Sequence, residues 1–204
     1  IFDNDANICY VRKHEGSSKI LQFDKKRSSW FSKNRSRFKH QIDSRIFFAK
    51  CIILTEGDSD RNLLGVFEFL KTIEPNLNLD SQDITITSVG GKDNFKKYRK
   101  LLDSFEIPFV ILTDDDAKGF FINYASISKD RLDGNEIAVV IKDGDLENLM
   151  EQLDPVLFQS VKEKFGRSKP TVAFEFAKKI HEKNTNILKP IKDFLLLAVE
   201  KSKK

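Results

Sequence analysis

Two cysteines, Cys9 and Cys51, are too few for a disulfide framework. Cys51 lies inside an apolar run that reads as a buried strand, where a thiol acts as a small hydrophobe, so neither cysteine is read as a disulfide partner or a metal ligand. The three histidines, His14, His40 and His181, are scattered and match no zinc-ligand spacing. No run approaches the roughly 20 apolar residues that span a bilayer, and no basic-then-apolar leader precedes the first strand. Both absences point to a cytoplasmic protein with no membrane partner. A Gly-rich GK[ST] loop is missing as well, which places ATP hydrolysis outside these residues. No internal repeat is found.

What is present is a globular composition, 204 residues with 40% hydrophobic, enough for one core or a core with an appendage. The formal charge of +4 conceals a strong asymmetry. Residues 11–50 carry 12 Lys/Arg against 3 Asp/Glu, residues 51–159 carry 11 against 21, and residues 160–204 carry 12 against 5. Solvated surface charge explains any one basic arm. An acidic middle between two basic arms also suits carboxylates that bind metal beside surfaces that attract a polyanion, because Lys and Arg on phosphates supply affinity without sequence preference. Nucleic acid is the expected partner.

Along the chain, residues 1–23 alternate weakly about the turn-forming HEGSS and read as a hairpin or edge pair. Ile1 is not a natural start residue, and a larger domain is expected upstream. Residues 24–50 are basic with Trp30, Phe31, Phe38, Phe47 and Phe48 interleaved, and the second half suits a helix entering the first core strand. Such aromatics stack on bases in some proteins, although anchoring a connecting helix to a core is their commoner use. From residue 50 the pattern turns regular: strand CIILT, an amphipathic helix over 58–71, a strand over 84–89, a helix over 93–104, a strand over 109–113, a polar loop to about 135 and a strand over 136–141. Strands alternating with helices of this length imply parallel βαβ units. Helices follow over 146–153, 155–165, 171–183 and 191–201. The chain divides into a lead-in over 1–48, an α/β core over 49–150 and a helical extension over 151–204.

The chemistry gathers at strand ends. CIILTEGDSD and PFVILTDDDAKG each carry acids past a buried strand, Glu56 and Asp60 in the first, Asp114 and Asp116 in the second. In a doubly wound sheet the carboxyl edge is where ligands bind. Gly57 permits a tight turn that leaves Glu56 and Asp60 on one side of the junction. Asp114 and Asp116, two apart in extended backbone, point the same way. DGDLENLM brings Asp145 and Glu147 to the end of the fourth strand. Acids at a helix start serve as caps and dipole partners, worth about 0.3–1 kcal/mol, and that accounts for any single motif. Three motifs at equivalent strand ends call for hard cations such as Mg²⁺ between them, since clustered carboxylates otherwise raise one another's pKa.

EGxxD after a first strand and DxD after a later one resemble the Toprim domain of primases, topoisomerases and certain nucleases. The surrounding residues resemble one branch, the OLD (overcoming lysogenisation defect) nucleases: RIFFAKCIILTEGDSDRNLL, SVGGKDNFKKYRKLL, IPFVILTDDDAKG, DLENLM and SKPTVAFEFAKKI follow its motifs in order over about residues 45–183. One departure is Asp60, where many members carry Glu; the shorter arm binds directly or through water. No tyrosine stands in the context of a topoisomerase nucleophile, and no zinc motif suggests a primase.

The resemblance implies a mostly parallel Toprim sheet flanked by helices, with a C-terminal helical extension. It implies an endonuclease that hydrolyses DNA phosphodiesters with two Mg²⁺ or Mn²⁺ ions, the nuclease part of a protein whose ABC-type ATPase lies upstream. A homodimer and a role in phage defence fall within what the family allows. Glu56 and Asp114 are then the central ligands, with Asp60, Asp116 and Glu147 completing two sites and Asp145 as a weaker candidate. The same resemblance gives Lys169 the role of electrophile at the scissile phosphate, against the plain reading of a lysine before a helix opened by Pro170. Gly90, Gly91 and Lys92 suit either a phosphate cradle of backbone N–H groups or a tight turn. The alternative from another class is a non-catalytic Toprim-like module that binds DNA or dimerises. A haloacid-dehalogenase-type phosphatase ranks lower, because its DxD normally follows the first strand.

Overall fold

The computed structural model describes residues 9–14, 16–22, 44–114, 116, 138–141, 144–180 and 185–203. Four strands form one parallel sheet: β3 (Cys51–Thr55), β4 (Ile84–Ser88), β5 (Phe109–Asp114) and β6 (Ala138–Ile141), in the order β4-β3-β5-β6. β3 is buried along its whole length, as expected of a central strand covered on both faces. Its side chains alternate with the two-residue strand period: Cys51 and Ile53 enter one apolar cluster, Ile52 and Leu54 the other. Val110 and Leu112 of β5 join the first cluster, Phe109 and Ile111 the second.

The first face carries α1 (Asp58–Leu64), α2 (Phe67–Ile73), α4 (Leu146–Leu153), α5 (Pro155–Phe165), α6 (Lys169–Lys179) and α7 (Thr185–Ser202). Phe69, Phe176 and Phe194 are among its fully buried side chains, and Phe158 meets Phe176 edge-on at 6.4 Å. Helices α4 to α7 therefore share one core with the sheet. The second face is covered by α3 (Phe95–Ser104) through Phe95, Tyr98, Leu101 and Leu102. An antiparallel hairpin of β1 (Cys9–His14) and β2 (Ser17–Gln22), the pair expected from the HEGSS turn, adds Tyr10 and Leu21 to that face. Tyr10 and Phe47 both approach the Phe105 ring edge-on, at 6.2 and 5.6 Å.

The helix expected over 58–71 is two helices. The chain turns at Gly65, whose N–H donates to the Arg61 carbonyl at 2.9 Å, while the Val66 N–H donates to the Leu63 carbonyl at 3.4 Å and Val66 is extended at φ −89, ψ 119. A Cβ at Gly65 would lie 2.9 Å from the Arg61 carbonyl oxygen, so glycine allows this close return. α6 begins two residues earlier than expected because Ser168 caps it, its Oγ accepting from the Thr171 N–H at 3.4 Å, and Pro170 sits in the first turn. It ends at Lys179, with Ile180 extended, and residues 181–184 lie outside the described residues. α7 starts at Thr185, six residues before the expected position, and accommodates Pro190 inside its second turn. Leu188, Ile191, Phe194, Leu195 and Ala198 give it an apolar stripe against the sheet, and that burial outweighs the one hydrogen bond the proline removes. Of the basic segment 24–50, a 3₁₀ turn at Ser44–Phe47 leads into β3. The rest of that segment, with Trp30, Phe31, Phe38 and His40, lies outside the described residues, as do His181 and residues 117–137.

Candidate metal centre

Three strand ends converge on one edge of the sheet. At β3, the backbone leaves Thr55 into Glu56 and Gly57, which is the extended N-cap of α1 at φ −126, ψ 172. The Thr55 hydroxyl donates to the Gly57 carbonyl at 3.1 Å, and the Gly57 N–H donates to Asp60 Oδ2 at 3.0 Å. Glu56 is held from both neighbouring strands. The Gly91 N–H, in the turn after β4, donates to the Glu56 carbonyl at 2.9 Å, and the Thr113 hydroxyl at the end of β5 donates to Glu56 Oε2 at 3.1 Å.

The turn after β4 needs its glycines, since Gly90 and Gly91 have φ of +70 and +107. Their N–H groups are both engaged within the protein, Gly90 with Ser88 Oγ at 3.3 Å and Gly91 with Glu56. The tight-turn reading of these residues therefore holds over the phosphate-cradle reading. What the turn does present is Lys92, whose Nζ lies 2.9 Å from Asp116 Oδ2.

Glu56, Asp114 and Asp116 form a group whose ligand oxygens all lie within 4.8 Å of one another. Such a set of hard carboxylate oxygens fits Mg²⁺ or Mn²⁺. Among the described residues, Asp114 Oδ1 is buried and has no hydrogen-bond partner. An anionic oxygen so placed has lost its water and gained nothing in return, a cost that a cation would remove. Burial pushes the Asp114 carboxyl up to about 7, with Asp60, Glu56, Asp145 and Asp116 adding to the rise. Asp60 is buried at 5% exposure. Its carboxyl is pushed up to about 6, chiefly by burial and then by Glu56 and Glu147, against the lowering effect of the Gly57 N–H.

Asp60 and Glu147 stand outside the group of three. Asp60 spends one oxygen on the Gly57 N–H at the start of α1. Glu147, in the first turn of α4, pairs with Lys169 at 2.7 Å. Asp145 is the N-cap of α4: its Oδ1 accepts from the Asn148 N–H at 3.0 Å, while its own N–H donates to Asn148 Oδ1 at 3.0 Å. That capping role is the simple one weighed for acids at helix starts. Gly144, at φ +134, precedes it because a Cβ there would run into the Asn148 side chain.

Lys169 is the first residue of α6 and reaches the site because α6 packs along α1, with Asn62 Nδ2 donating to the Pro170 carbonyl at 3.1 Å. The Glu147 carboxylate raises its pKa, so it stays a cation. Thr113 and Asn62 were not singled out in the sequence reading. A threonine closing a buried strand was the available signal for Thr113; nothing local marks Asn62. The cysteines behave as expected: Cys9 is exposed, Cys51 is buried with its thiol pushed up to about 12 by that burial, and neither is bridged. No helix among the described residues is long and apolar enough to cross a membrane.

No curated protein matches the chain. Residues 47–116 match the family model for the overcoming lysogenization defect protein-like TOPRIM domain. The matched stretch runs from the entry to β3 through Asp116, so it contains Glu56, Asp60, Asp114 and Asp116 and stops before Glu147 and Lys169. A parallel sheet flanked by helices, an acidic group able to hold a metal at its carboxyl edge and the family match agree: residues 47–116 are similar to the OLD-like Toprim domain, a kind of domain associated with metal-dependent work on nucleic acid.

Proposed function

We propose that this chain is a Mg²⁺- or Mn²⁺-dependent endodeoxyribonuclease, the nuclease part of an OLD-type ATPase-nuclease. The observation that carries the reading is Asp114: a buried carboxylate oxygen without a partner, within 4.8 Å of ligand oxygens of Glu56 and Asp116. Glu56, Asp114 and Asp116 hold the first ion, and Asp60 and Glu147 serve a second, with Asp145 as the cap of α4. Bound divalent ions supply a polarised phosphate and a water acidic enough to act as nucleophile. The chain's residues do the rest. Thr113 keeps the Glu56 carboxylate in one orientation. Lys169, tethered over the acidic edge by Asn62 and Ser168, neutralises charge that builds on the phosphate oxygens in the transition state. The basic segments 11–50 and 160–204 draw in the duplex by its backbone.

A non-catalytic DNA-binding module would keep the fold with no use for this arrangement of acids. The test is nicking of supercoiled plasmid with Mg²⁺ or Mn²⁺, against EDTA and against Glu56→Ala and Asp114→Ala, with circular dichroism to show that both variants fold. Loss of nicking in folded variants is expected. Full activity in both under matched metal would overturn the assignment.

A further inference from the structure

Lys92 is rooted in the same backbone knot as the central ligand. It follows Gly91, whose N–H is bonded to the Glu56 carbonyl, and its ammonium crosses from the loop after β4 to Asp116, which follows β5. Strand β3, which carries Glu56, lies between those two strands. The lysine thus spans the group of three carboxylates and holds one of them at 2.9 Å. Lys169 stands in the same relation to Glu147 at 2.7 Å, from the α6 side. Both pairs are open to water: the Lys92 and Asp116 side chains are 41% and 67% exposed. An exposed pair of this kind adds little stability, so its placement asks for another use.

We propose that Lys92 is a displaceable counter-ion: it neutralises Asp116 while the acidic group holds no metal, and a divalent ion entering that group releases it to contact a backbone phosphate of the substrate. The reasoning is electrostatic. A doubly charged ion competes for the same Asp116 oxygens and repels an ammonium a few ångströms away. The freed side chain is long, flexible and solvent-accessible at the rim of the site, and the nearest new anion is the phosphate drawn to the metal. Metal and nucleic acid then favour each other's binding, and by linkage the coupling is reciprocal. Lys92 acts here as a positioning residue for phosphate, separate from the role given to Lys169.

The inference rests on the nuclease reading, and two measurements with Lys92→Gln keep their failures apart. The first is calorimetric titration with Ca²⁺ in the absence of DNA, a hard oxygen-seeking ion suited to carboxylates. With its competitor removed, Lys92→Gln should bind Ca²⁺ several-fold more tightly than the parent. Equal or weaker binding would overturn the counter-ion role. The second is duplex DNA binding by fluorescence anisotropy across a salt series, in EDTA and in saturating Ca²⁺. In EDTA the two proteins should coincide. In Ca²⁺ the variant's log–log salt slope should be shallower by about one, the signature of one lost phosphate contact. Identical slopes in Ca²⁺ would overturn the phosphate role. Should the parent itself fail to bind DNA in either condition, the nuclease reading falls, while the calorimetric arm still decides whether Lys92 competes with metal.

Discussion

Replacing Asp114 with Asn separates the cost of holding this site without metal from the benefit of filling it. Burial and the neighbouring acids raise the Asp114 carboxyl from 3.8 to about 7 in the folded chain. At about 1.4 kcal/mol per pH unit, that rise sets a ceiling of about 4 kcal/mol on the folded state's loss when the group ionises. The side chain is only partly buried, and solvent screening brings the expected figure to about 1–2 kcal/mol. The direction follows from the raised value. Folding stability is fullest below about pH 4, where the acid is protonated in both states, and is lost as pH rises through about 7. Asn cannot ionise, so Asp114→Asn lacks this share of the pH dependence. In urea melts with EDTA at about pH 8, the variant should be more stable than the parent by about 1–2 kcal/mol, and the advantage should vanish near pH 4. Mg²⁺ or Mn²⁺ at pH 8 should reverse the order. A hundredfold excess over Kd stabilises the parent by about 2.7 kcal/mol, and the variant by much less. An Asn variant that is less stable than the parent in EDTA at pH 8, or that gains as much from metal, would refute the argument.

Three further outcomes are expected. Lys169→Ala should lower single-turnover cleavage by roughly 10²–10³ with metal affinity near the parent's, as when one preorganised donor is removed; unchanged cleavage would return Lys169 to a helix-start residue and shift attention to Lys178 and Lys179. Thr113→Val, which keeps the buried shape and deletes the donor to Glu56, should weaken metal binding by about 10–100-fold with little change in the melt. Gly144→Ala should cost about 2–4 kcal/mol in a urea melt, because it combines backbone strain at φ +134 with displacement of the Asn148 side chain that completes the α4 cap; a loss below about 0.5 kcal/mol would show that the loop adapts freely.

The sheet and its acidic edge were legible because they rest on strong, local signals. CIILT and FVILT are short apolar runs followed by acids, and both became buried parallel strands with those acids at their carboxyl ends. The helices over 146–153 and 155–165 were read with their observed bounds, since Asp145 and Asp154 cap them and Pro155 opens the second. The misses have particular causes. A continuous apolar stripe masked the break at Gly65, where a single glycine lets the backbone fold back on Arg61. Pro190 hid the first turns of α7, whose apolar contacts with the sheet are long-range and leave no local mark. In the site, side-chain type revealed which residues carry charge but not how they pair. That Lys92 reaches Asp116, and Lys169 reaches Glu147, depends on the strand order and on α6 lying along α1, neither of which is written in local spacing.

The central claim, that Glu56, Asp114 and Asp116 together hold a divalent ion, is tested most directly by counting free Mn²⁺ by electron paramagnetic resonance as protein is added. The parent should sequester Mn²⁺. Glu56→Gln and Asp116→Asn should each bind at least about tenfold more weakly, as expected when one carboxylate ligand is lost. Asp103→Asn, which removes a carboxylate on the outer side of α3 paired with Arg99, should bind like the parent. Equal Mn²⁺ binding by the parent and both site variants would contradict the account.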